Sequence, residues 1–167
     1  MFGSVNTAVG RISPLAIFGS GVHDFNAGRA VLTTGTTTWT NAAGNDGQIR
    51  FGGNARIDNE GTWLDNTSVN TSINPNLGGG SFTNTVSGVY QKNTTTTTSI
   101  SSQFSNDGLL DLQAGTMALS GGGTLNGDLD IATGATLQLS GSTFALNSVD
   151  VALDGRLLIS GGTVNQS

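Results

Sequence analysis

Apolar residues recur at a fixed period towards the C-terminal end of the chain. In the segments LLDLQAGTMALSGGGTL, LDIATGATLQLSGSTF and VDVALDGRLLISGGTV they fall into five columns, and each step within a column is 19 or 20 residues. Apolar and polar residues alternate within each segment, which is typical of short β-strands with one buried face. The columns predict a core made of Leu110, Leu129 and Val149; Leu112, Ile131 and Val151; Met117, Leu137 and Leu157; Leu119, Leu139 and Ile159; and Leu125, Phe144 and Val164.

Turn-forming residues separate these short strands at the same period. Ser-Gly pairs begin at Ser120, Ser140 and Ser160. Short strands joined by glycine turns at one period predict an all-β fold, a single-stranded parallel β-helix (β-solenoid) with about 20 residues per rung. Parallel strands joined by crossovers favour a right-handed coil. We therefore expect an extended, stacked body.

Weaker copies of the pattern extend towards the N-terminus. An apolar residue followed by Asn and Gly recurs, and Asn59, Asn84, Asn106 and Asn126 are candidates for a hydrogen-bonded ladder at one corner. We divide the chain into residues 1–24, an irregular segment or partial first rung, and a repeat array over residues 25–167, with looser rungs at 25–103 and regular rungs at 104–167. The array has the pattern of a fragment of a longer one, whose uncapped rungs would allow end-to-end self-association.

Composition narrows the function classes. Charged residues make up 10% of the chain, against about 25% in ordinary soluble domains. The net charge of −5 argues against nucleic acid as a partner, because nucleic-acid binding needs a basic face. The sequence contains no apolar run long enough for a transmembrane segment, and its first ten residues lack the basic residues of a secretion signal.

The units FxNxG, GGGT and GATLxLSG, seen in GGGSFTNTVSGVYQKN and LSGGGTLNGDLDIATGATLQLSG, resemble repeats of large bacterial surface proteins. These are the autotransporter passengers and the filamentous-haemagglutinin-like adhesins, and the similarity covers about residues 25–165. The resemblance implies a segment of an exported protein, located outside the cell or on the bacterial surface. Because such repeats serve as stalks, adhesive faces and scaffolds, the resemblance specifies architecture better than function.

Three aspartates could carry chemistry on the outer face. Asp111, Asp130 and Asp150 lie between the first two apolar columns, at one register in successive rungs. Clustered carboxylates suit Ca²⁺, the one cofactor that we consider. They could also supply the carboxylate pair of a polysaccharide hydrolase or lyase, or simply form a solvated face.

The leading hypothesis is a non-enzymatic structural and adhesive segment that presents a rigid, repetitive surface to host-surface or matrix glycans or proteins. A β-helical polysaccharide-acting enzyme is the first alternative. A segment of a phage tail fibre or spike is the second, and it would trimerise. We predict no catalytic residues, because the outward positions hold Asp, Thr and Asn without an assembled catalytic set.

Overall fold

The fold is a three-sided parallel β-solenoid. The computed structural model describes residues 10–44, 46–147 and 150–166, and these form 22 short strands and no helix. Every named strand pairs in parallel with the equivalent strand of the next coil, so three long sheets run along the molecule. The coils number about seven and average about 22 residues. The predicted fold class is confirmed.

Each coil contributes one strand to each sheet. Sheet 1 contains β1 (Gly10–Ile12), β4 (Ala30–Thr33), β7 (Ala55–Asn59), β10 (Gly80–Asn84), β13 (Gln103–Asn106), β16 (Gly123–Leu125), β19 (Thr143–Leu146) and β22 (Thr163–Gln166). Sheet 2 contains β2 (Leu15–Ile17), β5 (Thr36–Trp39), β8 (Thr62–Asp65), β11 (Val89–Lys92), β14 (Leu109–Leu112), β17 (Asp128–Ile131) and β20 (Val151–Leu153). Sheet 3 contains β3 (His23–Phe25), β6 (Ile49–Gly52), β9 (Thr71–Leu77), β12 (Thr97–Ile100), β15 (Thr116–Leu119), β18 (Thr136–Leu139) and β21 (Arg156–Ile159).

Part of the N-terminal segment that we predicted to be irregular or a partial first rung forms regular strands of the coil. Strands β1, β2 and β3 pair in register with β4, β5 and β6. The first described coil therefore begins at Gly10.

Coil length explains why the sequence repeat is weak in the N-terminal half. Equivalent residues Thr33 and Asn59 are 26 positions apart, whereas Asp107 and Asn126 are 19 apart. The additional residues lie at corners, at 40–48 between β5 and β6 and at 66–70 between β8 and β9. Asn41 joins the two insertions, because its side chain donates to the carbonyls of Asp46 and Val69 and accepts from the backbone N–H of Ser68.

The buried core changes from aromatic to aliphatic along the rod. Trp63 stacks with Tyr90 at a centroid distance of 6.3 Å, and Phe82 stacks with Phe104 at 5.6 Å. Edge contacts join the two stacks, the closest being Trp63 on Phe82 at 5.0 Å. In the later coils Leu110 and Leu129 continue the column of Trp63 and Tyr90, whereas Gly123 and Phe144 continue that of Phe82 and Phe104. Each inward residue therefore packs against its equivalents in the neighbouring coils.

Most of the predicted core is buried. Ten of the fifteen residues are buried, namely Leu110, Leu112, Met117, Leu119, Leu125, Leu129, Ile131, Leu137, Leu139 and Phe144. Leu157 and Val164 are partly buried against this core, whereas Val151 and Ile159 are 42% and 53% exposed. All four lie in the last described coil, where no further described coil covers them. Val149 lies outside the described residues.

Three predicted columns have the wrong register, and in the first of them the partner of Leu129 is Val151, where Val149 was predicted. Val151 pairs with Leu129 and Leu153 with Ile131, so Val151 does not continue the column of Leu112. Leu125 pairs with Leu146, whereas Phe144 pairs with Gly123 and Val164. Each error is a slip of two residues. Because side chains alternate between the two faces with period two, such a slip leaves inward residues inward and cannot be detected from polarity alone.

Candidate functional site

A buried asparagine ladder shapes the corner between sheets 1 and 2. Asn59 donates to Asn84 Oδ1 at 2.8 Å, and Asn84 donates to Asn106 Oδ1 at 2.7 Å. Thr33 Oγ1 donates to Asn59 Oδ1 at 2.8 Å and extends the ladder by one coil. Each asparagine also donates to backbone carbonyls at the turn, which are thereby satisfied away from water. Three of the four predicted ladder residues are confirmed.

Asn126, the fourth predicted residue, belongs to a different ladder. It lies one position beyond Leu125, which takes the place next to Asn106. Its exposed side chain donates to Asp107 Oδ1 at 2.6 Å and accepts from Asn147 Nδ2 at 2.9 Å. The corner therefore has a buried inner ladder in the early coils and an exposed outer one in the later coils.

Glycine follows the asparagine ladder because the coils approach too closely for a side chain. A Cβ atom on Gly108 would lie 2.2 Å from the carbonyl oxygen of Gly88, and one on Gly127 would lie 2.0 Å from that of Gly108. Neither distance is sterically allowed. The glycines allow successive coils to stack closely at this corner, and a shallow groove lies on its outer surface.

We call this surface the corner groove and define it by Val86, Val89, Leu109, Asp107, Asn126, Asp128, Asp130, Asp150 and Val151. It consists of two adjoining hollows of about 410 Å³ and 380 Å³ that share Leu109 and Asp128. Val86, which is 83% exposed, lies at one end. The groove crosses several coils and combines an apolar floor with carboxylate and amide groups, a composition that suits ligand contact.

The three aspartates considered for Ca²⁺ do not form one column. Asp111 pairs directly with Asp130, but Ala152 occupies the next position, so the predicted register of Asp150 is wrong. Asp111 is buried and accepts hydrogen bonds from Gln91 and Gln113, whereas Asp130 is exposed. The side-chain amides of Gln91 and Gln113 therefore take the place of water around the Asp111 carboxylate. Within the described ranges, no group of three or more His, Cys, Asp or Glu residues is arranged to hold a metal ion.

A buried polar cluster interrupts the apolar core near the middle of the rod. Asp65 and Lys92 occupy the same inward position in neighbouring coils, are both fully buried and lie 3.7 Å apart between Oδ2 and Nζ. Asp65 accepts from Tyr90 Oη at 3.2 Å and from Thr98 Oγ1 at 2.6 Å. Thr67 Oγ1 donates to the other carboxylate oxygen at 2.8 Å. Threonine hydroxyls therefore surround the ion pair, Thr67 and Thr98 at the carboxylate and Thr94 and Thr96 at the ammonium.

The sequence prediction missed this cluster, although one signal was present. The segment Val89-Tyr90-Gln91-Lys92 alternates with period two, so an inward Tyr90 requires an inward Lys92. The same reasoning from Trp63 places Asp65 inward. Lysine and aspartate are rarely fully buried unless they are paired, so their charge favoured an outward position for both Lys92 and Asp65.

Burial changes the proton affinity of two groups in the cluster. Loss of water contact lowers the pKa of Lys92, and the charge of Asp65 opposes that effect only in part. Burial is also the main reason that the pKa of Tyr90 lies well above its ordinary value of 10.0, with further contributions from the charge and hydrogen bond of Asp65. Both shifts favour neutral side chains in the core.

Alkaline pH is therefore expected to destabilise the fold through Tyr90. Between its ordinary pKa of 10.0 and its raised folded pKa, the unfolded chain loses the phenol proton and the folded chain keeps it. Stability is then lost as the pH rises, by up to about 1.4 kcal/mol per pH unit. Lys92 makes stability rise with pH, but only between its lowered folded pKa and its ordinary pKa of 10.5, because only there does the unfolded chain hold a proton that the folded chain lacks.

Urea unfolding above about pH 10.5, followed by circular dichroism, measures the Tyr90 slope alone. Because Tyr90 is the single tyrosine, phenolate absorbance reports the same ionisation directly. The Tyr90→Phe variant serves as the control and should lose most of the slope. An equal slope in both proteins, or a phenol that titrates normally in the folded state, would contradict the assignment.

Comparison of the chain with protein-family models, curated proteins and solved structures found no match. In the part of the chain that the structure describes, no helix is long and apolar enough to cross a membrane. The fold and the corner groove together define the class, a three-sided β-solenoid with an acidic, partly apolar surface groove.

Proposed function

We propose that the chain is a structural and adhesive repeat segment of a large exported bacterial surface protein. The observation that carries the proposal is the corner groove, a continuous surface feature that crosses several coils of a rod built from repeated units. The resemblance of the repeats to bacterial adhesins supports the location outside the cell. The partner class is a glycan or protein of a host surface or matrix.

The shape of the groove favours an extended ligand. Leu109 and Asp128 belong to both hollows, so one chain-like molecule could contact both without a break. Carboxylates and the Asn126 amide can accept or donate hydrogen bonds to sugar hydroxyls or to a peptide backbone. Leu109 and the exposed Val86 add apolar contact area. Such contacts are individually weak, and repetition along a longer array would raise the overall affinity through multivalency.

Substitution in the groove is expected to reduce binding without unfolding the rod. The combined variant Leu109→Gln with Asp128→Asn removes the apolar floor and the acidic group at the junction of the two hollows. The matched control is Thr136→Gln with Gln138→Ala, which changes the outer face of sheet 3. Binding of all three proteins to arrays of host and matrix glycans and proteins is measured on sensors that carry many copies of the chain.

We expect the groove variant to lose at least about tenfold in apparent affinity, equivalent to about 1.4 kcal/mol, and the control to bind like wild type. Equal binding by all three proteins would show that the ligand contacts a surface other than the corner groove. Absence of binding to any array component would argue for a purely structural stalk.

The enzyme alternative uses the same surface, because Asp128, Asp130 and Asp150 line one hollow. Incubation of wild type and Asp130→Asn with pectin-like and bacterial polysaccharides distinguishes the two functions. New reducing or unsaturated ends produced by wild type and not by Asp130→Asn would favour the enzyme. Product from neither protein would favour binding.

A further inference from the structure

The only lysine in the chain lies in the core beside a carboxylate of the neighbouring coil. Lys92 on β11 and Asp65 on β8 are partners in the parallel register, and both side chains are fully buried. Nζ lies 3.7 Å from Oδ2. The carbon that the amine would attack, Cγ, is bonded to that oxygen, and a movement of the Lys92 side chain would bring Nζ to the attack distance of about 3–3.5 Å from it.

The hydrogen bonds around the pair suit a reaction between the two groups. Nζ donates to the neutral hydroxyls of Thr94 and Thr96, at 3.3 and 3.2 Å, instead of donating to the carboxylate. Oδ2 of Asp65 accepts from Tyr90 and Thr98, and Oδ1 accepts from Thr67. Two donors therefore already face the oxygen on which negative charge would develop during attack.

We infer that Lys92 and Asp65 form an intramolecular isopeptide bond, a covalent link between two neighbouring coils. The inference does not depend on the proposed function. The ion pair first transfers one proton from the ammonium to the carboxylate, which gives a neutral amine and a carboxylic acid. Burial promotes this transfer, because it lowers the pKa of Lys92 and a separated pair of buried charges is costly.

The chemical step then needs no cofactor. The Nζ lone pair attacks Cγ of Asp65, and the developing charge on Oδ2 is stabilised by the hydroxyls of Tyr90 and Thr98. Oδ1 already carries the proton first transferred from the ammonium. It receives one further Nζ proton through the hydroxyls of Thr96 and Thr67, which connect Nζ to Oδ1. The Cγ–Oδ1 bond breaks, Oδ1 leaves as water with two protons, and an amide remains. Nothing is oxidised or reduced.

The product removes an unfavourable feature of the core. An amide is neutral, whereas the ion pair places two charges in a buried site at a high desolvation cost. The bond also closes a loop over the 27 positions between Asp65 and Lys92, which would limit the separation of these coils under force. A rod that carries load along its axis would benefit from such a link.

Intact-mass spectrometry of the folded full chain tests the inference directly. We expect a mass lower than the sequence mass by one water, and full sequence mass for chain kept in denaturant from synthesis onwards. Protease digestion should yield one branched peptide that contains both Lys92 and Asp65. The variants Lys92→Arg and Asp65→Ala should show their full sequence masses, and the Lys92→Arg rod should unfold at a lower temperature than wild type.

Folded wild type at its full sequence mass would overturn the inference, and this outcome does not require any variant to fold. Water can also be lost at Asp-Gly steps such as Asp107-Gly108 by succinimide formation. A water loss that persists in Lys92→Arg, or that maps to an Asp-Gly step, would therefore also overturn it.

Discussion

Leu119→Asp is expected to abolish stable stacking of the coils around β15. Leu119 is fully buried and lies between Ile100 and Leu139 in the inward column of sheet 3. An aspartate there would be a buried, unpaired charge and would also leave the volume of the leucine unfilled. We expect a loss of at least about 4 kcal/mol in the free energy of unfolding. Urea titration followed by circular dichroism measures it.

The neighbouring residue supplies the control for that substitution. Ala118 lies on the same strand, and alternation places it on the outer face between Ser99 and Gln138. Ala118→Asp introduces the same charge one position away and should cost less than about 1 kcal/mol. Equal destabilisation by the two variants would contradict the assignment of inner and outer faces.

Asn84→Ala is expected to have the next largest effect, because it breaks the buried ladder in the middle. The side chain accepts from Asn59 and donates to Asn106 and to the carbonyls of Gly88 and Leu109. Two amide hydrogens are shared among three acceptors, so the substitution leaves several buried polar groups unpaired. Each such group costs about 1–3 kcal/mol, and we expect a total loss of about 3 kcal/mol.

Asn126→Ala provides the comparison, since its ladder is exposed and water can replace the lost partners. We expect a loss below about 1 kcal/mol. The same urea titration applies to both variants. A loss at Asn126 as large as that at Asn84 would show that the two ladders contribute alike, contrary to their difference in burial.

The sequence predicted the fold class well because two physical constraints leave visible traces. The alternation of apolar and polar residues identifies the inward positions of each strand. Glycine identifies the corner where coils approach each other closely, as at Gly108 and Gly127. The registers of Leu110 with Leu129 and of Met117 with Leu137 followed from these traces and are confirmed. In this region the coils differ little in length, so columns can be counted along the chain.

The register errors arose where coil length changes without a change in polarity. Val151 was placed two positions away from its partner, and Leu146 was left out of the column that it shares with Leu125. Gly123 contributed to the second error, because it occupies an inward position next to Phe144 without an apolar side chain to mark it. The register of such strands is set by backbone pairing between coils. A shift of two residues leaves the alternation of polar and apolar positions unchanged, so the sequence pattern cannot show it.

The candidate sites were predicted less well, for a related reason. Asp111 and Asp130 are neighbours as expected. The burial of Asp111 and its hydrogen bonds from Gln91 and Gln113 depend on how neighbouring coils stack, which a single stretch of sequence does not show. The buried pair of Asp65 and Lys92 was missed because charged residues are ordinarily outside. The corner groove arises from contacts between successive turns, so no single segment of sequence contains it.

Cysteine cross-linking tests the stacked parallel register most directly, and the chain has no native cysteine to interfere. Thr116 and Thr136 are direct partners in sheet 3, whereas Thr97 and Thr136 are two coils apart. Neighbouring parallel strands are about 4.8 Å apart, within disulfide range, and strands two coils apart are not. We predict that Thr116→Cys with Thr136→Cys forms a disulfide rapidly under mild oxidation while Thr97→Cys with Thr136→Cys does not. The opposite result, or equal cross-linking of both pairs, would contradict the solenoid register.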